Sequence, residues 1–388
     1  MDTENSTIYL DHAATTFPRP PEVIQAMCTR YARMGCSPGR GGYDLAVETG
    51  EFVHSVRKWV ADFFGAPDPE RVCFAANATD ALNLGIFGLT RPGMHVISSR
   101  LEHNSVLRPL HHLHQSGSIE YTLVGFDTAG FMNPEHIARA MQPNTGLVVL
   151  THASNVLGSI QPIPEVGRIC AEHGVPLLVD TAQSAGYLPI DMASWQVSAL
   201  AFTGHKALLG PSGIGGLVIA PDLDVASTRF GGTGSESHSL KQPPSYPQRM
   251  EAGTLNVLGV MGLDAGLEYL TSMGMRASHV RKMTLLHRLR QGLEAVDGVT
   301  VYGSVSQDRH VPVLCCSLSG KSPSDVGMIL DGDYGIAVRT GLHCAPLVHE
   351  DLGTAVEGGA IRFSLGWNTS EEDIDRALEA IAGVQNGA

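Results

Sequence analysis

Residues 176–206 read PLLVDTAQSAGYLPIDMASWQVSALAFTGHK. Two short apolar runs, 177–180 and 199–202, flank a polar, glycine-containing connection. Each ends in groups able to do chemistry: Asp180 closes the first, and Thr203-Gly204-His205-Lys206 follows the second. Apolar runs this short, bounded by turn residues, suit strands buried on both faces. The same reading extends outward. Runs at 71–75, 94–98, 119–124, 147–151 and 217–220 predict further strands, and helical stretches at 79–89, 104–114 and 164–173 follow many of them. Strands alternating with helices predict an α/β fold with a mostly parallel sheet sandwiched by helices. Residues 231–245, GGTGSESHSLKQPPS, lack periodicity and predict a long surface loop. Beyond it the pattern changes. Helices over 258–273 and 276–296, strands over 299–301, 312–318, 336–339 and 360–365, and a closing helix over 371–382 predict a smaller α+β unit at the C-terminal end.

Composition narrows the function. The chain has 388 residues, 43% hydrophobic and 17% charged, which is a folded composition and too long for one small core. Its 26 basic against 39 acidic residues leave a formal net charge of −13, against the basic footprint of a nucleic-acid binder. No apolar run approaches the ~20 residues of a spanning helix, so no membrane role is expected. The start, MDTENSTIYLDH, lacks an apolar core behind a positive end, and the seven cysteines form no CxxC pair and are odd in number. A reduced, cytoplasmic protein is the expectation.

In an open parallel sheet, ligands sit at the carboxyl ends of the strands. The residues there are Asn77-Ala78-Thr79, Glu102-His103, His152-Ala153-Ser154-Asn155, Asp180-Thr181-Ala182-Gln183 and Thr203-Gly204-His205-Lys206. Lys206 lies between apolar runs, where it is either a loop-tip lysine or an amine pointed into a site, able to form a Schiff base or act as a base. Asp180 is either a helix N-cap or the partner of a protonated pyridine nitrogen. Thr79 opens a helix whose free N–H groups suit a phosphate, and His103 could stack on a flat ring. Each signal alone has a plain structural reading. An anion site, a stacking ring, an acid and a lysine together describe pyridoxal phosphate binding.

Nine segments carry a resemblance. IYLDHAATTFP, ANATDALNL, LEHNSVLRPL, SNVLGSIQPI, LLVDTAQSAG, FTGHKALLGPSGIGGL, EAGTLN, RTGLHCAP and IRFSLGWNTSEED resemble, in order, motifs of the cysteine desulfurases and selenocysteine lyases, pyridoxal-phosphate enzymes of the class V aminotransferase group. The likeness runs from about residue 8 to 380, and RTGLHCAP looks like the type with a short, ordered cysteine loop. It implies the fold type I of these enzymes, with a large cofactor-binding domain over 20–255 and a small domain from 1–19 and 256–388. It further implies that Lys206 is the Schiff-base lysine, that Asp180 pairs with the pyridine nitrogen, that Gln183 bonds the phenolic oxygen and that His103 stacks on the ring. Thr79, Thr203 and His205 would hold the phosphate, and Thr254 would reach the phosphate of the partner subunit in a homodimer. Asn155 would contact the substrate side of the ring, Arg362 the substrate carboxylate with Arg339 beside it, and Cys344 would accept sulfur from L-cysteine (or L-selenocysteine) for an acceptor protein.

Cys344 differs in setting from the other thiols. It sits in Gly341-Leu342-His343-Cys344-Ala345-Pro346, whose Gly and Pro make a loop, while Cys73, Cys170, Cys315 and Cys316 lie in apolar runs and read as core. Cys28 falls in the first helix, and Cys36 in a Gly/Pro-rich turn is the rival mobile thiol. His343 or Arg339 is expected to lower the Cys344 pKa. A transaminase or β-lyase on the same cofactor is the nearest alternative, and it has no use for that thiol. A metal-binding protein is the other, from His111, His112 and His114 or from His343, Cys344 and His349, but no acidic residue or CxxC completes either set, so no metal is expected.

Overall fold

A computed structural model describes residues 7–387 apart from residues 39, 40, 305 and 307. Its strands are Ile8–Tyr9 (β1), Val72–Ala75 (β2), Met94–Ser99 (β3), Ile119–Val124 (β4), Thr145–Thr151 (β5), Leu177–Asp180 (β6), Ala199–Thr203 (β7) and Gly215–Ile219 (β8). After these come Val299–Tyr302 (β9), Val313–Leu318 (β10), Ile336–Ala337 (β11), Arg339–Gly341 (β12) and Ala360–Ser364 (β13). β2 to β8 form one seven-stranded sheet in the order β2-β8-β7-β6-β5-β3-β4. Every pair from β4 across to β7 is parallel; β8 alone runs against both its neighbours. The carboxyl ends of β2, β3, β5, β6 and β7 therefore share one edge.

The sandwich follows from strand alternation. In β5, Leu147 and Val149 pack with Ala81, Leu82, Val106 and Leu110 of the helices Ala78–Leu89 and Asn104–Gln115. Val148 and Leu150 point the other way, with Val53, Val56, Ile163 and Val166 of the helices Asp44–Phe63 and Ile163–Glu172. Successive strand side chains face opposite sides, so a strand apolar at every position needs a helix layer on each. Each such side chain contributes roughly 1.5–3 kcal/mol by full burial. β8 fits between β2 and β7 because Gly215 lacks a Cβ, which would lie 2.5 Å from the Phe202 carbonyl oxygen and 2.9 Å from the Asn77 backbone.

A second, antiparallel sheet has the order β12-β13-β10-β9, and its core joins Leu314, Phe363, Leu286, Leu289, Ile374 and Ile381. The chain's start joins this core: β1 pairs in parallel with β11, and Leu10 is fully buried there. The helix Val257–Met273, expected with the smaller unit, instead sends Val260, Leu263, Leu267 and Leu270 into the core of the large sheet. Its apolar residues recur all round, so the sequence pattern shows that it is buried but not against which sheet. Segment 231–245 contains no helix or strand, as expected, and Leu240 is fully exposed. No helix among the described residues is long and apolar enough to cross a membrane.

Candidate active site

The shared strand edge faces the second sheet across a cavity of about 310 Å³. β6 and β7 carry its floor. Asp180 ends β6, buried, and accepts the Ala182 backbone N–H at 2.8 Å. Burial pushes its carboxyl up; the Ala182 bond and the nearby Lys206 ammonium pull it back. Lys206 follows β7 through Thr203-Gly204-His205. Burial lowers its amine to about 8, with Asp180 pulling it upward. An amine in that range is a usable base and nucleophile. Thr203 lines the same floor with its hydroxyl buried and unpartnered, and His205 holds Thr15 Oγ1 at 3.1 Å. Burial, followed by the Lys206 charge, takes the His205 ring down to about 4, so it is neutral. Gln183 donates to the Ala13 carbonyl at 2.9 Å and also lines the cavity.

One wall is built by helix N-termini. Thr79 lies in the first turn of the helix that follows β2, capped by Asn77, whose side chain accepts from Asp80 N–H. His103 is the N-cap of the helix Asn104–Gln115: its Nδ1 accepts the Ser105 N–H at 3.0 Å, which leaves Nε2 as the protonated nitrogen of a neutral ring. Burial, then Lys206 and Arg362, lower its pKa to about 4. Ser105, a residue the sequence reading did not single out, joins the wall: its hydroxyl bonds Thr79 Oγ1 at 2.7 Å and His103 Nδ1 at 2.8 Å. Beneath it Glu102 is fully buried, accepts from Ser99 Oγ and Thr151 N–H, and is raised by that burial to about 8.

The second sheet supplies the opposite wall. Arg362 in β13 and Arg339 in β12 both line the cavity, Arg362 buried and Arg339 exposed. Arg362 donates from Nη1 to the Asn155 carbonyl at 3.1 Å and from Nη2 to Asp11 Oδ1 at 2.6 Å, while its Nε is buried without a partner. Asp11 is a further residue the sequence did not reveal. Its approach depends on strand pairings that link residues 351 positions apart. The Asn155 side chain donates to the His343 carbonyl at 2.6 Å, and so clasps the cysteine loop.

Cys344 lines the cavity on an exposed loop after β12. His343 and Cys344 both take left-handed backbone, at φ 50° and 57°, which costs non-glycine residues on the order of 1–3 kcal/mol each. The loop is tied down: Asn104 N–H donates to the Cys344 carbonyl at 2.7 Å, and Gly359, at φ 106°, lies against Gly341, where a Cβ would be 2.1 Å from its oxygen. The expectation that His343 charges the thiol fails. His343 is buried, with Nδ1 on His349 Nε2 at 3.0 Å and Nε2 on the Arg339 carbonyl at 3.3 Å; burial, then Arg362, take it down to about 2. It is neutral and structural. The other cysteines divide as expected: Cys73, Cys170, Cys315 and Cys316 are buried, Cys170 and Cys315 pushed up to about 12, and Cys36 is held by Leu45 O and Thr49 Oγ1. Among the described residues no three His, Cys, Asp or Glu side chains gather as a metal cluster.

Thr254 is set apart from this cavity. It is exposed and lines a second, larger one of about 410 Å³, with Arg57, Asp80, Arg229 and Glu251.

Residues 8–377 match the family model described as aminotransferase class-V. The chain belongs to that family. Among curated relatives of this class-V member, a probable cysteine desulfurase of Methanothermobacter thermautotrophicus is 34% identical, over 97% of the chain and 95% of the relative. A cysteine desulfurase of Salmonella dublin is 32% identical over 97% and 93%. The apo structure of cysteine desulfurase from Thermococcus onnurineus superposes with a TM-score of 0.91 at 32% identity, covering 98% of this chain and 95% of that one. Within the class-V family the chain therefore sits with the cysteine desulfurases, whose group generally uses pyridoxal phosphate.

Proposed function

We propose that the protein is a pyridoxal-phosphate-dependent cysteine desulfurase that turns L-cysteine into L-alanine and carries the sulfur as a persulfide on Cys344. The observation that carries this reading is one cavity holding a half-buried lysine and a buried aspartate at its floor and an exposed thiol at its mouth. A transaminase needs the first and not the second. The cavity also fits the cofactor: the buried, unpartnered Thr203 hydroxyl and the helix start at Thr79 suit a phosphate, and the unpartnered Arg362 Nε suits a carboxylate.

Lys206 would hold the aldehyde, Asp180 the pyridine nitrogen, Gln183 the phenolic oxygen, His103 the ring face, and Thr79, Thr203 and His205 the phosphate. Bound there, pyridoxal phosphate supplies an electron sink for the substrate's carbon framework. The residues do the rest. Arg362 fixes the substrate carboxylate, with Arg339 at the rim and Asn155 bracing both Arg362 and the loop. Lys206, as a free amine, takes the Cα proton. The Cys344 thiolate attacks the substrate sulfur, the Cβ–S bond breaks with its electron pair going to carbon, and an S–S bond forms on the enzyme. That carbon takes up a proton, and Lys206 returns to Cα the proton it took as alanine leaves. The neutral His103, with its proton on Nε2, would serve as a proton donor near the reacting atoms. An acceptor protein or thiol then takes the outer sulfur from the exposed loop.

Thr254 fits this scheme as a residue reaching the phosphate of a second subunit in a homodimer, since it lies outside its own chain's cavity. The division into a large domain over 20–255 and a small one from 1–19 and 256–388 completes the proposal, with the helix Val257–Met273 lying against the large one. A reducing, cytoplasmic setting suits a free Cys344. The test is product analysis: cofactor-loaded protein with L-cysteine and a reducing thiol should give alanine and sulfide in equal amounts. Pyruvate with sulfide would make it a β-lyase. Turnover of selenocysteine alone would make it a selenocysteine lyase.

A further inference from the structure

The Arg362 side chain is held more tightly than a ligand-binding arginine in an open cavity requires. Its two terminal nitrogens are both engaged, Nη1 by the Asn155 carbonyl and Nη2 by Asp11, and its Nε is buried with no partner. The ion pair with Asp11 is largely shielded from water: the two side chains are 4% and 14% exposed. The guanidinium offers carboxylates a side-on fork made of Nε and Nη2. Asp11 takes one prong of that fork, Nη2, and leaves the other, Nε, without a partner.

Asp11 is not there by accident of a floppy terminus. Leu10 is buried in the core of the second sheet, and its N–H donates to Ala337 O. Ser364 N–H donates to Leu10 O at 2.7 Å, Asp11 bridges to Ser364 in the strand, and Ala13 N–H donates to Ser364 Oγ at 2.8 Å. Ser364 stands two residues after Arg362 in β13, on the same face of the strand. The segment that carries Asp11 is thus laced to the strand that carries Arg362. Ala13, two residues on, accepts from Gln183 and lines the cavity.

We propose that Asp11 is a positioning residue for substrate binding: it holds the Arg362 fork by one prong so that the free prong meets the amino-acid carboxylate, and it thereby tells amino acids from simple amines. The proposal rests on the desulfurase reading only in placing the substrate carboxylate at Arg362. It makes no use of Cys344.

The test is a binding experiment on cofactor-loaded protein, read from the visible band of the bound cofactor. Two amines that differ only in the carboxylate, L-alanine and ethylamine, are titrated into the wild type, Asp11→Ala and Asp11→Asn. Asp11→Ala should weaken L-alanine about tenfold and leave ethylamine unchanged. Asp11→Asn keeps an oxygen that can accept from Nη2 and removes the negative charge beside the incoming carboxylate, so it should bind L-alanine at least as tightly as the wild type. An unchanged L-alanine affinity in Asp11→Ala overturns the proposal, as does an equal loss for both amines, which would mean general damage to the site. If Asp11→Ala does not fold, Asp11→Asn decides alone: a weakening for L-alanine contradicts the role. A wild type that responds to neither amine would sink the desulfurase reading instead, which separates the two failures.

Discussion

The two sides of the cavity are built to different rules. On the strand side, Asp180 is buried at the end of β6 and Lys206 is half-buried three residues after β7, with backbone bonds of the sheet fixing the two strands side by side. On the loop side, Cys344 is exposed, in left-handed backbone, and held by a few discrete contacts: Asn104 N–H, the Asn155 amide and the His343–His349 pair. The difference fits the work proposed for each. A group that tunes and holds a cofactor gains from burial, because low dielectric shifts its pKa and excludes water. A thiol that must pass its sulfur to another molecule has to reach solvent, so its position is secured by local bonds instead of by a core.

The sharpest way to break the comparison is at Lys206. Lys206→Ala should remove the visible band of the bound aldehyde and all turnover, while far-UV circular dichroism stays unchanged; any residual turnover with cysteine would take the amine out of the chemistry. Next comes the thiol. Cys344→Ser should keep the cofactor band and lose cysteine desulfuration by a factor of roughly a hundred or more, the scale of removing an essential nucleophile. Selenocysteine turnover should persist, since the weaker C–Se bond lets a reducing thiol in solution take the selenium while the bond's electron pair goes to carbon. Loss of the cofactor band in this variant would mean that the two sides are not separate.

The supports of the loop should show smaller effects. His349→Ala leaves the buried His343 Nδ1 without its partner, a loss worth about 1–3 kcal/mol. Persulfide formation in a single turnover should slow by roughly tenfold, with the cofactor band and its pH dependence unmoved. A shifted band would show that the loop reaches into the strand side.

Acid should weaken the fold through buried histidines on both sides. Burial lowers His152, His310 and His349 to about 4, His12 to about 3 and His343 to about 2. The unfolded chain takes up these protons near pH 6.5 and the folded one does not. Stability is therefore full above about 6.5 and falls as pH drops toward 4, by up to ~1.4 kcal/mol per pH unit for each histidine. The slope of urea-unfolding free energy against pH measures this, and His349→Ala should lower it by about one proton. A flat profile from pH 7 to 5 would contradict the buried, neutral assignment.

The strand side was the legible one. Buried parallel strands declare themselves as short apolar runs, and a ligand edge follows from their order, so Asp180, Lys206, Thr203, His103 and Asn155 could be placed on it from sequence. What escaped was set by long-range pairing. Asp11 reaches Arg362 because a two-residue strand at the chain's start pairs with β11, and no periodicity marks a strand that short. Ser105 looked like any residue in a first helical turn. His343 looked like a charge donor to its neighbour Cys344, and only its burial against His349 shows that it carries none. The Val257–Met273 helix went to the other core because a helix apolar all round does not say which sheet it covers.

The destination of the substrate sulfur decides whether Cys344 is its carrier. Cofactor-loaded protein given one equivalent of L-cysteine, without reductant, can be digested and its seven cysteines followed by mass spectrometry. One added sulfur atom on the Cys344 peptide, with one alanine released, is the predicted result. Alanine released with that peptide unmodified, or the sulfur found on Cys28 or Cys36, would contradict it.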